Sequence, residues 1–62
     1  MKIIKEEIID ETGGVLSMSL DIDTYYVTLK NPSIEFYRVM FATQKKSVAN
    51  RIFNQIVKVN IV

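Results

Sequence analysis

With 62 residues the chain makes a single domain (1–62), and at such a length folding hides only about 60% of the unfolded surface, which leaves stability marginal. No cysteine and no histidine are present, which excludes disulfides, thiolate metal sites and the commonest acid–base group and leaves association with another chain as the stabilising device still open. The net charge of +1 hides an asymmetry: up to Leu29 two basic residues stand against six acidic ones, a net of −4, and from Lys30 on six basic residues stand against one acidic, a net of +5.

In chain order, Met1–Glu11 (MKIIKEEIIDE) fits two elements. As a helix it places Met1, Ile4 and Ile8 on one face with Gly13 as a cap. Four isoleucines in the first nine residues favour a strand, and Thr12-Gly13-Gly14 is then a short hairpin turn. The glycine pair lacks the spacing and the Lys-Ser/Thr of a phosphate-binding loop. The carboxylates Glu6, Glu7, Asp10 and Glu11 have no nucleophile or base beside them and read as a solvated face.

Val15–Lys30 is the stretch with the sharpest pattern. Leu16, Met18, Leu20 and Ile22 alternate with Ser17, Ser19 and Asp21; after Asp23-Thr24 the phase inverts, and Tyr25, Val27 and Leu29 alternate with Tyr26, Thr28 and Lys30. Period two means a strand with one buried face, and the inversion is what a chain reversal produces. The predicted register sets Leu16 against Leu29, Met18 against Val27 and Leu20 against Tyr25, because a one-residue slip would bring apolar positions against Ser and Thr. Ile22-Asp23 is a poor pair for a two-residue turn that needs positive φ, so a four-residue type I loop over Asp21–Thr24 is expected. Asp21 and Asp23 supply too few oxygens for a calcium cage.

Asn31-Pro32-Ser33 ends that hairpin, since Pro has no N–H to give a ladder. Ile34–Thr43 (IEFYRVMFAT) has strand composition, with Phe36 and Met40 expected on one side and Tyr37, Val39 and Phe41 on the other. A strand apolar on both sides is either central in a sheet or part of an interface; a helix starting at Pro32 is the rival. Thr43–Val57 is predicted helical from the spacing of Val48, Ala49, Ile52, Phe53 and Ile56, with Thr43 or Ser47 as N-cap. Val57, Val59 and Ile61 then alternate with Lys58, Asn60 and Val62, which predicts a short final strand.

The fold expected is α+β: an antiparallel meander of three or four strands packed on one C-terminal helix. The function expected is non-enzymatic, since no catalytic spacing is present and neither metal nor cofactor is implied. The first hypothesis is a small regulatory protein that binds another protein, in the manner of a phage- or plasmid-type inhibitor of a host protein. It rests on the 48% hydrophobic content, more than so small a body can hide. Self-association as a two-fold dimer is expected for the same reason, through Ile34, Phe36, Met40, Val57, Val59 and Ile61, with the strand around Ile3–Ile9 and Val57–Val62 as candidate sheet edges. The second hypothesis is nucleic-acid binding by Tyr37, Arg38, Lys45, Lys46 and Arg51, where aromatics would stack on bases and cations track phosphates. The simpler reading of the charge asymmetry is that the two halves fold together and pair their charges. No apolar run approaches the ~18 residues of a membrane span, and no leader-like apolar stretch opens the chain; a soluble, cytoplasmic protein is expected.

Overall fold

The computed structural model describes residues 1–9, 11 and 13–60. The alternating stretch forms strands β2 (Val15–Asp21) and β3 (Thr24–Asn31), and every predicted cross-strand pair is found: Leu16 with Leu29, Met18 with Val27, Leu20 with Tyr25, Ser17 with Thr28 and Ser19 with Tyr26. The loop between them differs from expectation. Asp21 and Thr24 are the last paired rung, so only Ile22 and Asp23 turn the chain, and Ile22 takes φ +58°. A two-residue loop with positive φ carries the twist that the flanking strands need. Asp23 holds the loop in place by accepting hydrogen bonds from Thr24 Oγ1 at 3.0 Å and Gln44 Nε2 at 3.1 Å.

The N-terminal segment is a strand, β1 (Lys2–Ile8), antiparallel to β2. Its register shifts between Ile3 and Lys5, so Ile4 is an extra residue. The pair Ile8–Val15 and the bond from the Ile9 N–H to the Gly14 carbonyl at 2.9 Å close the first hairpin. Gly13, at φ +98°, supplies the left-handed step there, while Thr12 of the predicted turn lies outside the described residues. After β3 a single 3₁₀ turn over Pro32–Ile34 is capped by Asn31, whose side chain accepts from the Ser33 N–H at 3.1 Å. The chain then enters β4 (Phe36–Thr43), and the four strands lie in the order β1-β2-β3-β4, all antiparallel. The predicted strand Ile34–Thr43 therefore loses Ile34 to the turn and Glu35 to its cap. It is also an edge strand and not a central one.

Helix α1 (Lys46–Asn60) follows and packs across β2, β3 and β4. The Lys45 carbonyl accepts the first helical bond, from the Ala49 N–H at 3.1 Å. Thr43 Oγ1 accepts from the Lys45 N–H at 3.2 Å, just ahead of the helix, and Ser47 sits inside the first turn. The predicted final strand does not form over residues 57–60, which continue the helix; Ile61 and Val62 lie outside the described residues. No Gly or Pro follows Val57 to stop a helix, and Val57 packs on the core at helical spacing from Phe53.

The core lies between the sheet and the helix. Leu16, Met18 and Val27 are buried from the sheet, Ala49 and Phe53 from the helix, and Ile9 from the first loop, with Ile4, Tyr25, Leu29, Phe41, Ile56 and Val57 packed around them. Val48 and Ile52, expected in this contact, are only half-buried. The cause is how the helix is turned. Lys5 on β1 donates to the side-chain carbonyls of Asn50 and Asn54 and stands 4.5 Å from the centroid of the Phe53 ring. These contacts lie on the Asn50/Asn54 flank of the helix, and Val48, Ile52 and Val59 fall on its opposite flank.

Candidate interaction surface

Pairing with β3 fixes which way each residue of β4 faces. Thr43, Phe41, Arg38 and Phe36 oppose Tyr25, Val27, Leu29 and Asn31 and so share the helix side of the sheet. Ala42, Val39 and Tyr37 oppose Tyr26, Thr28 and Lys30 and take the other side. A bulge between the Val27 and Thr28 rungs leaves Met40 without a partner on β3. This overturns the expected grouping of Phe41 with Tyr37 and Val39: one extra residue reverses the alternation from that point on.

The helix does not reach over most of this strand. Phe36 through Met40 are all exposed, with Tyr37 at 65% and Val39 at 45%, and only Phe41 and Thr43 are half-buried. Along its outer side the main-chain N–H and C=O groups of β4 have no neighbouring strand among the described residues. The other edge, β1, carries Lys2, Lys5, Glu6 and Glu7, the kind of charge that blocks pairing with a foreign strand; β4 carries Arg38 alone.

Among the described residues, no second layer covers the sheet face away from the helix. Its floor is small: Ser17, Ser19 and Thr28 are each about nineteen-twentieths covered, although only their neighbours' side chains stand over them. Part of that cover is an ion pair, Lys30 Nζ to a Glu6 carboxylate oxygen at 3.1 Å, which reaches across β2 from β3 to β1. Ile3, Ile8, Tyr37 and Val39 stand exposed around this floor.

The residues singled out in the sequence are therefore scattered. Phe36 and Met40 lie on the exposed edge, and Ile34 is exposed in the turn before it. Val57 is half-buried against the core, Val59 is exposed on the helix, and Ile61 lies outside the described residues. Tyr37 and Arg38 project to opposite sides of β4, and Lys45, Lys46 and Arg51 belong to the start and outer side of α1. The expected pairing between the halves is seen in Lys30–Glu6; among the described residues no ion pair is found for Arg38, Lys45, Lys46, Arg51 or Lys58. Sequence reasoning missed Val39 as an edge residue, and it missed the serine-floored face. The burial of Ser17 and Ser19 depends on how far Glu6 and Lys30 lean, which no local pattern encodes.

No described helix is long and apolar enough to cross a membrane. The chain matches no protein-family model, no curated protein and no solved structure.

Proposed function

We propose that the chain is a small non-enzymatic interaction protein that regulates another protein by binding it, and that it also associates with itself as a two-fold dimer. The observation that carries this reading is the β4 edge, exposed from Phe36 to Met40 and, among the described residues, without a strand along its outer side. Among the described residues six apolar side chains are buried and ten large ones are exposed, and five of those ten, Ile34, Phe36, Tyr37, Val39 and Met40, follow one another along β4 and the turn before it, the kind of clustering that marks an interaction surface. The test is a pull-down from the native cell with two baits, wild type and Tyr37→Glu. Tyr37 is exposed and outside the core, so the variant keeps its fold. A partner lost with the variant supports the reading; one retained equally by both baits moves the binding site off β4.

Nucleic-acid binding is the second reading, favoured by Arg38 and the cations of α1, for which no ion pair is found among the described residues. A gel shift across a salt series tests it. Phosphate contacts predict binding that weakens steeply as salt rises, and no shift at low salt with single- or double-stranded probes eliminates it.

A further inference from the structure

We infer that the strand beside β4 is β4 of a second copy, run antiparallel about a two-fold axis that passes between Val39 and Met40 and stands normal to the sheet. This rests on the self-association proposed above and gives it a register.

The bulge is the reason. In an antiparallel pair, residues directly opposite each other project to the same face. Read from Phe36, the residues of β4 face the helix side, the far side and the helix side, then come Val39 and Met40, then the helix side, the far side and the helix side at Thr43. The order is the same from either end. Setting Phe36 against the second copy's Thr43, Tyr37 against its Ala42 and Arg38 against its Phe41, with Val39 and Met40 crossing at the axis, therefore matches faces on both flanks of the bulge. A shift by one residue sets both flanks on the wrong faces, and the shift by two that still matches them, Arg38 against Thr43, pairs six residues in place of eight. A bulge ordinarily spoils an edge for pairing. Here the two bulges fall opposite each other, two residues against two, and the ladder resumes on both sides.

Charge agrees with the same register. Arg38 is the one charged residue of β4, and it meets the second copy's Phe41, a ring that can receive a guanidinium, rather than its own counterpart. Self-pairing through β1 would instead bring together two strands that each carry four charged residues. The product is a continuous eight-stranded antiparallel sheet with both helices on one side, since an axis normal to the sheet keeps like faces together.

The experiment uses the absence of native cysteine. Chains carrying Tyr37→Cys are mixed in equal amount with chains carrying Ala42→Cys and oxidised gently. Opposed antiparallel residues lie about 4.5–5.5 Å apart between Cα atoms, inside the ~4.4–6.8 Å range of a disulfide. The mixed covalent dimer is expected in excess of the half-share that random pairing gives. Sedimentation of the wild type is run beside it, together with Val39→Lys, which places two ammonium groups next to the axis and is expected to sediment as a folded monomer. A wild-type dimer whose mixed cross-link does not exceed the random share, or a dimer that survives Val39→Lys, overturns this register and leaves self-association standing. A wild-type monomer at high micromolar concentration, with an unfolding midpoint independent of concentration, overturns both.

Discussion

At the scale of single residues, Ile22 is the side chain most out of place. It is β-branched, sits at φ +58° and is 94% exposed, so it meets a steric penalty of about 1–2 kcal/mol in the left-handed region and recovers none of it by burial. Ile22→Gly removes that penalty at a smaller entropic cost. It is expected to raise stability by about 1 kcal/mol, a rise of several degrees in Tm for a domain of this size. An unchanged or lower Tm would mean that the loop does not hold the left-handed conformation. This residue also marks where reading by composition stops. The sequence predicted the register of Leu16–Leu29 and its neighbours because burial punishes a slip. It did not predict the loop, because a fully exposed position exerts no such selection and the general preference against Ile there misled.

At the scale of elements, the strands were legible where one face was buried and ambiguous where neither was. β2 and β3 alternate because the helix covers one side. β4 has large apolar residues on both sides, a composition shared by central strands and by interface strands, and only its place at the end of the meander separates the two. Its bulge is silent in the sequence, and so was the true side of Phe41. The end of α1 was misread because Val57, Val59 and Ile61 alternate as well as they spiral. Lys58→Pro distinguishes the two structures. In a helix it removes a hydrogen bond and clashes with the carbonyl of Asn54, for up to about 3 kcal/mol, and both helical circular dichroism and Tm should fall. In an exposed terminal strand the change would be small. The outward flank of α1, with Val48, Ile52 and Val59, could not be anticipated either, because it depends on Lys5 reaching Asn50 and Asn54 from 45 and 49 residues away.

At the scale of the whole molecule, one two-layer arrangement holds the apolar core of the described residues. The sheet contributes Leu16, Met18 and Val27 to the core and α1 contributes Ala49 and Phe53, and neither layer has another surface to pack on. A fragment ending at Gln44 keeps all four strands but loses the cover. It is expected to aggregate or remain unfolded, and addition of a peptide spanning residues 45–62 should restore the cooperative melt of the intact chain. A stable, soluble, sheet-rich fragment would show that the helix is dispensable. The same order of elements has a consequence for refolding. Strands that pair only with their neighbours in sequence close short loops and form early, so after dilution from denaturant the meander can assemble before α1 docks on it. During that interval the chain offers water both its future interior and the lightly guarded edge of β4, and refolding at high protein concentration is expected to lose yield to aggregation in that state.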